Sequence, residues 1–227
     1  MNGVWDWFRD GDHWRGDTGV PHLLYQHSLL TVVSVLVAVA VGLPLALWLG
    51  HRGRGGVLAV NLTNVGRAVP IVALLSLLAL GPLGTDPFGP FGRSGEATLV
   101  TLALFALPPI VTNTYTGMVE VDRDVVEAAR GMGMSEATLL RRVELPLAAP
   151  LIIAGLRLAV VQVWATATIA ALVAGPGLGR IITHGYAANQ TAEVVAGSLI
   201  VAAVALALEL IFVAIQRWAS PLSVGGR

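Results

Sequence analysis

The chain has 227 residues, 55% of them hydrophobic and 12% charged, with a formal net charge of zero and a mean hydropathy of +0.74. Soluble domains carry about twice that share of charge, so a water-soluble globular domain is excluded and an integral membrane protein is expected. Cysteine is absent, which excludes a disulfide framework, a thiolate metal site and a cysteine nucleophile.

The apolar residues fall in blocks of about 20, the length a helix needs to cross roughly 30 Å of hydrocarbon. The first residues, Met1-Asn2-Gly3-Val4-Trp5-Asp6-Trp7-Phe8, are aromatic and acidic and lack the basic n-region of a signal peptide, so they are read as mature sequence. Trp5, Trp7 and Trp14 suggest an outer interfacial segment over 1–22, a short amphipathic helix at headgroup level. Five spans follow, at about 23–49, 57–80, 97–118, 147–173 and 194–218, with a tail over 219–227. The loop at 81–90 is dense in Gly and Pro and cannot sustain a helix. No internal repeat is visible, and the chain reads as one all-α membrane domain.

Arginine, which supplies all 14 basic residues, sets the orientation. With the N-terminus outside, the inner segments hold Arg52, Arg54, Arg123, Arg130, Arg141, Arg142, Arg217 and Arg227, and the outer ones only Arg9, Arg15, Arg93 and Arg180. Eight against four favours an outer N-terminus and an inner C-terminus.

The loop at 119–146 departs from the rest. Between Glu120 and Glu144 it holds four Arg and six acidic residues, more than a linker between spans needs and suited to docking a soluble partner. Asp124 is a candidate N-cap, with Glu127 three residues on as its capping-box partner. Val125, Val126, Ala128, Ala129 and Met132 supply a small apolar face, and Gly131 and Gly133 weaken or end that helix. Ser135 is a candidate N-cap for a second helix over 136–143, and Pro146 fits the first turn of the fourth span. Two readings stand on pattern alone: a solvated loop with incidental helices, or a helical pair built for docking.

Glu127, Ala128, Ala129, Gly133, Val143, Leu145 and Pro146 resemble, in type and spacing, the signature of permease subunits of binding-protein-dependent ABC importers. The resemblance implies a type I (MetI-like) permease fold with about five transmembrane helices and a cytoplasmic coupling helix. Glu127, Ala128, Ala129, Gly131, Gly133, Val143, Leu145 and Pro146 would then contact the ATPase. Implied partners are cytoplasmic ABC ATPase subunits, a second permease copy or sister permease, an extracytoplasmic substrate-binding protein and the lipid bilayer of a bacterial inner membrane. No cofactor is expected on this chain, because ATP and Mg belong to the ATPase, and no nucleic acid is expected. The runs 65–70, 107–117, 165–171 and 175–179 resemble the osmoprotectant branch, which transports glycine betaine, carnitine or choline. Methionine or another amino acid is the alternative cargo.

Asn113, Tyr115, Thr166 and Thr168 are candidates for the translocation path, against the reading that such groups bridge helices. Arg67 and Arg157 lie about ten residues into their spans, and snorkelling or structural pairing is favoured over a functional role. Glu209 lies within the fifth span and needs protein, water or an Arg beside it; a packing role is favoured over a substrate site. His13, His22 and His27 are read as surface or interfacial residues rather than metal ligands. The glycines at 175–179 lack the Lys-Ser/Thr of a phosphate loop. An intramembrane enzyme would need ionisable groups facing one another within the spans, and a secondary transporter inverted repeats; neither is evident.

Overall fold

A computed structural model describes residues 2–53, 61, 69–85, 91, 92 and 94–219, and the described residues are helical without strands. α1 is Asn2–Arg9 and α2 is Val20–Arg52. α3 is Ile71–Leu80 and α4 is Gly95–Val119. α5 is Arg123–Gly131 and α6 is Glu136–Leu139. A π-helical turn, Leu140–Glu144, leads into α7, Leu145–Thr166, which tightens into a 3₁₀ helix over Ala167–Val173. α8, Gly179–Ala187, and α9, Thr191–Ala219, complete the chain.

Four of the described helical stretches are long and apolar enough to cross a membrane, namely those over 20–52, 95–119, 136–173 and 191–217. Of the span expected at 57–80, α3 supplies ten residues, about 15 Å at helical rise. Arg67 and residues 65–68 of the run 65–70 lie outside the described residues.

α2, α4 and α7 form the centre, where Leu30, Val35, Leu102, Ile110, Ala159 and Val163 are buried together. Glycine lets α4 and α7 approach closely: a Cβ on Gly155 would stand 2.7 Å from Asn113 Cβ, and one on Gly117 3.0 Å from Leu151 Cβ. Small residues at helix crossings provide the packing that membranes cannot supply by hydrophobic exclusion.

Two further cores close opposite ends of this bundle. At the end where α2 begins and α7 finishes, Trp7, Leu23, Trp164, Leu178 and Ala196 pack together. At the other end, Met118, Val121, Val126, Ala129, Leu139 and Ala148 form the base on which the 119–146 loop sits.

The first of these ends corrects two expectations. Trp5 is exposed, but Trp7 is buried and stacks on His13 with ring centroids 4.3 Å apart, so α1 turns one tryptophan into the bundle. His27 is fully buried rather than interfacial. The Leu178 N–H donates to its Nδ1 at 3.2 Å, which leaves Nε2–H to donate to the Trp164 carbonyl at 2.9 Å. A neutral imidazole is thereby satisfied on both nitrogens. Gly177 makes room for it with φ +102°, since a Cβ there would lie 2.8 Å from His27 Nδ1.

Candidate functional site

The 119–146 loop is built from its caps. Asp122, two residues earlier than expected, caps α5 by accepting from the Asp124 N–H at 2.9 Å. Glu127 therefore points from an exposed helix face instead of closing a capping box on Asp124. At the other end of α5, the Gly133 N–H donates to the Arg130 carbonyl and the Met134 N–H to the Ala129 carbonyl. That pair of bonds is a Schellman motif, which places its fifth position in the left-handed region. Gly133 occupies it with φ +81°. Gly131 is helical with open space around it, so only the second of the two expected glycines stops the helix.

The apolar residues of α5 divide into two stripes rather than one. Val126 and Ala129 are buried against Met118, Leu139 and Ala148. Val125 and Met132 are exposed at 42% and 73%, with Ala128 exposed between them. Helical spacing aligns these three on one outward face.

Ser135 caps α6 as expected, accepting from the Thr138 N–H. The expected helix over 136–143 is not a separate element. α6 runs through the π turn into α7, where the Leu145 N–H reaches the Leu140 carbonyl five residues back. Pro146 explains the widened turn, because its ring excludes the carbonyl four residues earlier and it has no N–H to donate. Val143 and Leu145 are half-buried in this junction, and Pro146 is exposed.

Charges lock the loop to the bundle. Arg130 donates to both carboxylate oxygens of Glu136, each at 3.1 Å. This bidentate contact holds the Glu136 carboxyl below the usual carboxylate range and raises the Arg130 guanidinium above its ordinary value. His51, in the last turn of α2, reaches Glu136 Oε2 at 3.2 Å and the buried Glu144 Oε2 at 2.5 Å. No local pattern in the sequence connects His51 to carboxylates 85 and 93 residues away.

The four candidates for the translocation path are half-buried and lie at two levels. Asn113 Nδ2 donates to the Pro109 carbonyl at 2.8 Å, beside Gly155 where α4 crosses α7. Tyr115 follows on the same helix. Thr166 lies near Thr98 and Thr101 at the start of α4, about 18 Å along the helix from Asn113. Thr166 donates to the Gln162 carbonyl and Thr168 to the Ala165 carbonyl. The structure does not gather these four into one cluster.

Arg157 and Glu209 do meet. Arg157 Nε lies 3.5 Å from Glu209 Oε1, and its Nη1 donates to Gln216 Oε1 at 3.1 Å. The pairing expected for both residues joins α7 to α9.

At the far end a cleft of about 400 Å³ is lined by Asp12, His13, Arg180, His184 and Glu193. Among the described residues no group of three or more His, Asp or Glu side chains could hold a metal ion.

Residues 38–223 match the family described as binding-protein-dependent transport system inner membrane component. The chain is 37% identical over 201 residues to the glycine betaine/carnitine/choline transport system permease protein OpuCD of Bacillus subtilis (strain 168), covering 87% of this chain and 83% of the relative. It is 46% identical over 99 residues to the ergothioneine transport permease/ergothioneine binding protein EgtU of Helicobacter pylori (strain G27), covering 44% and 18%. Among solved structures, an inward-facing conformation of the MetNI methionine ABC transporter matches with a TM-score of 0.72 at 20% identity, covering 86% of this chain and 94% of that one.

Proposed function

The chain belongs to the family of inner membrane components of binding-protein-dependent transport systems, and from that premise we propose that its 119–146 loop docks an ABC ATPase and that its cargo is a small quaternary ammonium compound. It is a multi-pass transport subunit of type I (MetI-like) permease fold, not an enzyme. ATP hydrolysis belongs to the partner subunits, and cargo is delivered by a substrate-binding protein.

The observation that carries the docking reading is the divided face of α5. One apolar stripe, Val126 and Ala129, anchors the helix, while a second, Val125, Ala128 and Met132, faces outward beside Glu127. A helix this short is marginal alone; here the Schellman glycine and the Arg130–Glu136 pair hold it in shape. Ala128, Gly131 and Gly133 keep its exposed surface low enough for close approach, while Ala129 and Val143 support it from within. ATP-driven closure of the ATPases would shift this helix relative to its copy in a second permease, the differential contact that coupling requires.

The arginine distribution supports an inner position for this loop, an outer N-terminus and an inner C-terminus. The binding protein then meets the opposite end, where the charged cleft lies. Asn113, Tyr115, Thr166 and Thr168 are proposed to line successive levels of the path.

Sequence identity to glycine betaine, carnitine and choline permeases over most of the chain supports the cargo assignment. The methionine transporter shares the fold at much lower identity. Ergothioneine, which also carries a trimethylammonium group, is the second cargo reading, favoured by the 46% identical segment. The test is uptake into liposomes holding the permease, its ATPase and its binding protein, with glycine betaine, carnitine, choline, ergothioneine and methionine as competing solutes. ATP-dependent uptake of a trimethylammonium solute in preference to methionine is expected; preference for methionine would refute the assignment.

A further inference from the structure

We propose that His51 is the positioning residue that ties the first span to the docking loop, holding Glu136 and Glu144 together. The inference rests on the reading of 119–146 as the ATPase-docking loop.

Both ring nitrogens face carboxylate oxygens, Nδ1 to Glu144 at 2.5 Å and Nε2 to Glu136 at 3.2 Å. Nδ1 is hydrogen-bonded to Glu144, and Nε2 stands within ion-pair distance of Glu136, so one ring bridges two carboxyl groups that lie eight residues apart on the loop. Glu144 is 6% exposed at its side chain, where an ionised group without a partner is strongly disfavoured. Glu136 is 59% exposed and also holds Arg130.

The two contacts have unequal consequences. Glu144 lies in the π turn that joins the loop to the fourth span, so its bond fixes that junction to the end of α2. Glu136 opens α6 and, through Arg130, holds the end of α5 that bears Met132 and Gly133. Removing the imidazole would free both carboxyl groups at once and loosen α5 from the span. Arg130 acts electrostatically on Glu144 and Glu127 as well as on Glu136. Arg52 lies over the Trp48 ring at 4.6 Å, and the Arg123 guanidinium stands beside Gly53. Arg141 and Arg142 are exposed on the π turn.

The experiment measures the Kd of the purified ATPase subunit for the permease dimer in nanodiscs, which needs no cargo. His51→Ala removes both contacts and should weaken binding about fivefold, at the low end of usual coupling effects. His51→Arg, with a permanent charge and several donors that reach carboxylates, should restore most of that loss. A wild-type Kd in His51→Ala overturns the proposal, as does a Kd in His51→Arg no tighter than in His51→Ala. If the ATPase binds wild-type permease and binding is lost in Met132→Asp, but His51 variants behave as wild type, this proposal alone falls. If Met132→Asp binds as wild type does, the docking reading falls and this proposal with it.

Discussion

Gly133 is the residue at which backbone physics and docking converge. Its φ of +81° is in the left-handed region, where a side chain is disfavoured by roughly 1–2 kcal/mol. Gly133→Val should lower the thermal midpoint of the purified permease and weaken its retention of the ATPase. Gly131→Ala, helical and with open space around it, should leave the midpoint unchanged or raise it. Thermal unfolding of the two variants side by side checks this, and equal losses in both would contradict the cap assignment. Both glycines were visible in the sequence, but which one takes positive φ depends on where the α5 ladder ends, and the Gly133–Arg130 and Met134–Ala129 bonds end it at the second. Asn189 is the parallel case: its φ of +54° follows the last turn of α8. His27 and His51 had no local signal, because their partners are supplied by distant chain segments.

The helices were legible wherever apolar length decided them, so the spans at 23–49, 97–118 and 194–218 lie within α2, α4 and α9. Local hydrogen bonding was not legible. The fourth span proved to be α6, a π turn, α7 and a seven-residue 3₁₀ helix in succession, because Pro146 and the small residues 165–171 change the ladder without changing the hydropathy. Pairing between elements was partly legible. A lone carboxylate in a span demands a partner, and Arg157 on α7 meets Glu209 on α9 as that demand predicts. Arg157→Leu and Glu209→Leu should each lower the thermal midpoint of the permease in lipid, and the double variant should recover much of the loss. The coupling energy expected from the two-by-two comparison is about 1 kcal/mol or less, since both groups are half-exposed. Strictly additive losses would mean that the pair contributes nothing to the α7–α9 contact.

At the scale of the whole molecule, the charged loop and the N-terminal segment close opposite ends of one helical bundle. That arrangement accords with the alternation of apolar blocks with one charged interruption in the sequence. What the sequence left open was which loop residues face outward, because α5 carries apolar residues on two sides and only packing decides which stripe is buried. The absence of cysteine offers a direct test, since Met132→Cys introduces a single thiol at the most exposed apolar position of the loop. A short bifunctional cross-linker applied to the assembled transporter should join that thiol to the ATPase subunit and stop ATP-driven uptake. Leu206→Cys, on the exposed face of α9, should form no such adduct. A Met132→Cys transporter that assembles and transports yet gives no ATPase adduct would contradict the docking of the ATPase on this loop.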